Sequence, residues 1–272
     1  MVDAALSSCI TYNPLTVNVD TSLDELVRML DDFGFHHWPV VDDDRHLVGM
    51  VSDVDILRAL EKHNLAVWAS GVVSAVNLPV AGEIMSRKLI AVEHHETLRG
   101  AIRRMVAHRI HSLPVLEDKR LLGVITSTDF VREFSFGTVD ISRESVSDFM
   151  ITSTESIDAA ASLDDALRAM SENGDDFVAV VRDESPIGVL TRREARSAKC
   201  RLATCSSRGQ KSVTVGDLLL NVPTLRPGQR LFEAAALMIE RKTQAIAVVN
   251  QALRLMGVIT ESDLLRAILE RT

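Results

Sequence analysis

Four pairs of side chains in this chain place a hydroxyl three residues before a carboxylate: Ser52 with Asp55, Thr126 with Asp129, Thr191 with Glu194 and Thr260 with Asp263. Each pair follows a glycine and two apolar residues, Gly49-Met50-Val51, Gly123-Val124-Ile125, Gly188-Val189-Leu190 or Gly257-Val258-Ile259, and each opens an apolar helical run. That order reads as a strand ending at a helix N-terminus. A hydroxyl that accepts a first-turn amide while the acid reaches back is a capping box. The same place offers free amides and the positive end of the helix dipole, so it also favours an anion such as a phosphate. Both readings stand together, and what separates them is whether other repeat positions supply a pocket and positive charge.

Other chemistry finds less support. No Gly-x-Ser-x-Gly elbow, Walker loop or Gly-x-Gly-x-x-Gly occurs, and the repeated carboxylates are accounted for by capping, so neither catalytic residues nor a catalytic cofactor are expected. The His36-His37 and His94-His95 pairs read as polar residues at helix or strand ends. No His, Cys, Asp or Glu set repeats at ligand spacing, so no metal site is expected. Cys9, Cys200 and Cys205 fit neither a disulfide framework nor a zinc site and read as free thiols.

With 272 residues, 46% of them hydrophobic, the chain can bury a sizeable core. It shows no apolar run long enough for membrane insertion and no secretory signal, which predicts a cytoplasmic protein. A net charge of −8 and 4% aromatic residues disfavour duplex wrapping and base stacking, so nucleic acid is an unexpected partner.

The elements that must position the four pairs repeat with them. Upstream of each glycine lies one helical face: Leu23, Leu26, Val27, Leu30; Leu98, Ala101, Ile102, Met105; Leu163, Ala166, Leu167, Met170; Leu231, Ala234, Ala235, Met238. All have i, i+3, i+4, i+7 spacing, one apolar stripe per helix. A short apolar run follows (Trp38–Val41, Leu113–Leu116, Val178–Val181, Ile246–Val249), then polar turn residues, then the strand that enters through the repeated glycine. This reads as a hairpin. A short extended lead-in precedes each helix, giving β-α-β-β-α units of about fifty residues, too thin to bury both sheet faces alone. Glu61 to Pro79, Ser135 to Ser145 and the basic Lys199 to Ser212 stretch read as joints.

Four units with an apolar-Pro-Val strand, a hairpin and Gly-x-x-Thr/Ser-x-x-Asp before the last helix resemble the CBS domain family over nearly the whole chain. The resemblance implies an α/β (α+β) fold of four CBS motifs, paired by pseudo-twofold symmetry into two Bateman modules. Residues 1–136 form the first, with motifs at about 10–60 and 80–134. Residues 137–272 form the second, with motifs at about 145–198 and 213–270. It further implies module pairing, within the chain or as a homodimer.

Carried over position by position, the resemblance puts ribose on Ser52 and Asp55, on Thr126, Thr128 and Asp129, and on Thr260, Ser262 and Asp263; a carboxylate suits two adjacent hydroxyls. His36 and His111 would face phosphate, while Phe35 with His37 and Ile110 with Ser112 would line the base. Unit three departs from the pattern: Glu194 replaces the Asp, Arg193 the small residue before it and Ala179 the Pro, and Asp175-Asp176 stands where phosphate would approach. Unit four has Gln244 in the phosphate position. The N-terminal module is therefore expected to hold the better nucleotide site. The implied function is a stand-alone sensor of AMP, ADP, ATP or S-adenosylmethionine that signals to an effector protein by conformational change. Its rivals are a ligand-independent module that assembles partners and a nucleic-acid binder using the Lys199 to Ser212 stretch with Arg192, Arg193 and Arg196.

Overall fold

The computed structural model describes residues 6–33, 37–62, 78–136, 144–204, 213–219 and 223–271. A 3-10 turn (Leu6–Ser8) and β1 (Thr11–Tyr12) precede unit one, which comprises β2 (Val17–Asn18), α1 (Leu23–Phe33), β3 (His37–Val41), β4 (Leu47–Ser52) and α2 (Asp53–Lys62). Unit two is led by α3 (Ala81–Ile84) and comprises β5 (Val92–Glu93), α4 (Leu98–His108), β6 (Ser112–Glu117), β7 (Arg120–Thr126) and α5 (Ser127–Ser135). Unit three follows α6 (Val146–Phe149) with β8 (Ser156–Asp158), α7 (Leu163–Asn173), β9 (Phe177–Arg182), β10 (Ser185–Thr191) and α8 (Arg192–Thr204). Unit four follows α9 (Val215–Leu218) with β11 (Thr224–Leu225), α10 (Leu231–Arg241), β12 (Ala245–Val249), β13 (Leu255–Thr260) and α11 (Glu261–Arg271).

Every unit has the same small sheet, a lead-in strand parallel to the first hairpin strand and the hairpin itself antiparallel. The expected stripes face inward: Leu23, Leu26, Val27 and Leu30 on α1 are buried, as are Ala101, Ile102 and Met105 on α4 and Leu231, Ala234, Ala235 and Met238 on α10. Two of the stripe helices, α1 and α7, start in capping-box spacing, Ser22-Leu23-Asp24-Glu25 and Ser162-Leu163-Asp164-Asp165, and the first departs from it. The Ser22 hydroxyl donates to Asp24 at 2.5 Å, whereas Ser162 forms the reciprocal pair with Asp165. The Lys199 to Ser212 joint also needs correction, because α8 runs through Thr204 and the Lys199 ammonium pairs with Asp164 at 3.0 Å. Of that joint, 205–212 lies outside the described residues, as does 63–77 of the first joint.

The lead-in segments cross between units. Residues 79–82 bond unit one (Leu23 N–H to Pro79 O, Ala81 N–H to Thr21 O, Gly82 N–H to Val19 O), and β1 adds an antiparallel strand to β7 of unit two. In the C-terminal half, Val146 and Ser147 donate to Gln229 and Pro227 of unit four, and Val215 and Gly216 to Ala161 and Ala159 of unit three. This gives the repeated glycines a reason beyond strand propensity. A Cβ on Gly257 would collide with the Ile151 carbonyl oxygen, and one on Gly123 would sit 2.7 Å from the Thr11 carbonyl oxygen. Gly257→Ala is expected to lower stability by about 1–3 kcal/mol through this overpacking against backbone, whereas Gly228→Ala, with open space around it, should change far less. Urea denaturation of both variants checks this, and equal losses would sink it.

Packing then joins the halves. The sheets of units three and four meet through Phe177, Ala179, Val189, Ala245, Ala247 and Val258. The hairpin ends of units one and two are linked by Leu121 N–H to Arg45 O and by the His46–Arg120 bridge. Across the halves, α2 packs on α8, and α5 on α10 and α11. One continuous core therefore runs from Phe130 and Phe134 of unit two to Leu231, Met238 and Leu265 of unit four. The pairing left open between one chain and two copies is present within this chain.

Candidate functional site

All four hydroxyl-acid pairs form helix caps. Asp55 Oδ2 accepts from the Ser52 amide and hydroxyl at 2.9 and 2.6 Å, Asp129 Oδ2 from Thr126 at 2.8 and 2.6 Å, Glu194 Oε2 from Thr191 at 2.8 and 2.7 Å, and Asp263 Oδ2 from Thr260 at 2.9 and 2.8 Å. Their second oxygens differ. Arg132 donates to Asp129 Oδ1 at 3.0 Å and Arg266 to Asp263 Oδ1 at 2.5 Å, while Arg58 stays 4.0 Å from Asp55 Oδ1. Asp55 thus keeps the more available oxygen.

The residue after each hydroxyl fixes a second repeated contact. Its amide donates to the carbonyl of the residue that enters the hairpin: Ser127 to His111 at 2.9 Å, Arg192 to Asp176 at 2.7 Å and Glu261 to Gln244 at 2.9 Å. His111, Asp176 and Gln244 therefore occupy one equivalent place in three units, and all three line a single cavity of about 450 Å3. His37, Ser52 and Val54 of unit one line it too, so all four units contribute. It has the size of a small-molecule site at a domain junction.

Its charges come from the same helix starts. Asp53, Ser127 and Glu261 are buried, at 4%, 1% and 2% exposure. Glu261 accepts from the Ser127 hydroxyl at 2.6 Å and the Thr128 hydroxyl at 2.9 Å, tying unit four to unit two. Burial raises its carboxyl above the usual range, opposed by those hydroxyls and by Arg193. Asp263 is raised for the same reason, opposed by Thr260 and Arg266. Arg193 is pulled below the usual guanidinium value by burial, with Glu261, Asp53 and Glu194 opposing. The His111 imidazole is pushed down by burial and then by Arg193, against Asp176. His111 Nδ1 and Arg193 Nε are both buried without a hydrogen-bond partner. Such orphans are rare in folded proteins and point to a missing polar neighbour.

The site residues expected from the sequence divide accordingly. His37, Ser52, Ile110, His111, Thr260, Ser262 and Asp263 border the cavity. Asp55, Ser112, Thr126, Thr128 and Asp129 do not line it, and Thr128 is committed to Glu261. Phe35 and His36 lie outside the described residues. The cavity draws more of its lining from units three and four than from the N-terminal half. Arg192 is no surface charge: it donates to Asp176 at 2.9 Å and to the Met170 carbonyl at 2.8 Å, closing the C-terminus of α7. That pairing also offsets the Asp176 charge expected to repel phosphate, and with Arg193 half-buried it takes away part of the basic patch behind the nucleic-acid reading. Sequence reasoning passed over Asp53, Glu261 and Arg193 as ligand-site residues; the signal for the first two was a charged residue directly inside the cap, and for Arg193 a cation one place further in.

Four equivalent α/β units, paired through sheets and helices around a shared cavity, define a tandem-repeat α/β fold. The CBS domain family model matches residues 6–62, 81–135, 146–200 and 215–270, and the chain belongs to that family. Protein MJ1225 of Methanocaldococcus jannaschii is 24% identical over 93% of this chain and 94% of its own length. Its crystal structure superposes with a TM-score of 0.75 over 97% of this chain and 99% of that one, at 22% identity. The CBS domain-containing protein DDB_G0289609 of Dictyostelium discoideum is 30% identical over 43% of this chain and 81% of its own. Longer relatives match in part: the chain spans 21% of the M. jannaschii L-aspartate semialdehyde sulfurtransferase at 30% identity over 44% of this chain. Among the described residues no helix is long and apolar enough to cross a membrane.

Proposed function

We propose that this chain is a ligand-sensing regulatory protein, with 1–136 and 137–272 as its two modules, that takes a phosphate-bearing adenosyl ligand at the junction of its units. The observation that carries it is the pair of buried, unpartnered donors, His111 Nδ1 and Arg193 Nε, beside a cavity of small-molecule size. A phosphate supplies the acceptors both lack, and Arg193 brings a charge that persists at all working pH values. The adenosyl half rests on family membership and on the hydroxyls of Ser52, Thr260 and Ser262 at the cavity edge. Because the cavity walls come from four units, a bound ligand favours one arrangement of the halves, and that shift in population is what an effector reads.

Calorimetric titration of the full chain with AMP, ADP, ATP and S-adenosylmethionine tests the reading. Saturable heat with at least one is expected, and flat traces for all would leave the ligand-independent assembly module in its place. His111 gives a pH signature. Burial holds the free imidazole below its ordinary 6.5, so it is neutral at pH 7; a phosphate neighbour favours the charged form, and binding takes up a proton. Affinity should therefore rise as pH falls through the region below 6.5. Titrations in buffers of different ionisation enthalpy should show proton uptake in the parent chain that is reduced in His111→Gln, and identical uptake in both would place the ligand away from His111.

A further inference from the structure

Away from the cavity, the turn between β5 and α4 gathers metal-ligating groups. Glu93, His94 and His95 each offer one ligand atom, and the three atoms lie within 4.8 Å of one another. The two imidazoles stand edge to face with centroids 5.4 Å apart. A fourth donor comes from the neighbouring strand, with Glu117 Oε1 at 3.8 Å from His94 Nε2. The backbone beneath them is fixed, since Glu93 pairs with Leu116 in the parallel ladder and the His94 amide donates to the Leu116 carbonyl at 2.9 Å. Apart from the His94–Glu117 approach, these four side chains make no hydrogen bond among the described residues.

The fold does not ask for this set. At the equivalent turns the chain carries Asn18-Val19-Asp20, Asp158-Ala159-Ala160 and Arg226-Pro227-Gly228, which hold the same ladder without an imidazole. Unit two has thus acquired two adjacent imidazoles beside its carboxylates, where its sister turns carry no imidazole. Two nitrogen and two oxygen donors suit a borderline divalent ion of the zinc type, with bonds of about 2.0–2.2 Å. All three residues of the turn are exposed, so side-chain rotation alone draws the donors inward from their present spacing.

We propose that Glu93, His94, His95 and Glu117 form a binding site for a divalent transition metal, a site separate from the central cavity. Cobalt(II) is the probe, added to the tag-free full chain and followed by its visible ligand-field absorption. One saturable equivalent, displaced by zinc, is expected. His94→Ala with His95→Ala should weaken binding at least a hundredfold and Glu117→Gln about tenfold, while His46→Ala, at an unrelated imidazole, should bind as the parent does. Absence of a saturable band overturns the site, and so does a double variant that binds like the parent chain. Circular dichroism of the double variant should match the parent, because neither imidazole contributes to the core.

Discussion

Phe134→Ala is expected to destabilise the protein by about 3–5 kcal/mol, the cost of emptying a fully buried aromatic site. Phe134 is 1% exposed on α5, in the core that unit two shares with unit four. Two residues on, Phe136 is 75% exposed, and Phe136→Ala should stay within about 0.5 kcal/mol of the parent. Chemical denaturation of the two variants makes a matched test, because they remove the same atoms from one stretch of chain. Comparable losses would mean that the helix contacts across the halves do not hold in solution. A large loss confined to Phe134 would show the halves docked through a common interior.

The second large effect concerns Arg193. Its side chain interacts electrostatically with the buried Glu261 and Asp53, and its Nε makes no hydrogen bond. Charged hydrogen bonds contribute about 1.5–3 kcal/mol each, so Arg193→Ala should weaken a phosphate-bearing ligand by about ten- to a hundredfold. Arg193→Lys should recover only part of this, since an ammonium keeps the charge but not the planar fork. Calorimetry on the three chains checks it, and unchanged affinity in Arg193→Ala would remove the guanidinium from the ligand's surroundings.

Much of this was legible in the residues. The four helices, the hairpins and the caps follow from periods of 3.6 and 2 and from hydroxyl-acid spacing, all of them local rules. The position shared by His111, Asp176 and Gln244 was readable from alignment of the units, because each repeat uses the same amide-to-carbonyl contact. What escaped was nonlocal. Arg193 read as damage to a sugar site, since nothing in unit three alone reveals that Glu261 and Asp53 of other units surround it. The lead-ins of residues 79–82 and 145–147 were placed beside their own units, although Ser145 with Asp148 and Thr214 with Asp217 mark helix starts by the usual pattern. Which unit a short helix joins depends on its partner across the pair. His94 and His95 gave no spacing signal, because their fellow donor Glu117 comes from the next strand of the sheet.

The crossing lead-ins bear on how the chain is made. Unit one lacks its bonds to Pro79, Ala81 and Gly82 until those residues leave the ribosome, and the opening stretch around Thr11 waits for β7 near residue 123. Synthesis of each half must therefore run nearly to its end before either member of the couple can close. A nascent chain stalled between them would present an unfinished sheet edge to chaperones rather than a completed quarter of the protein.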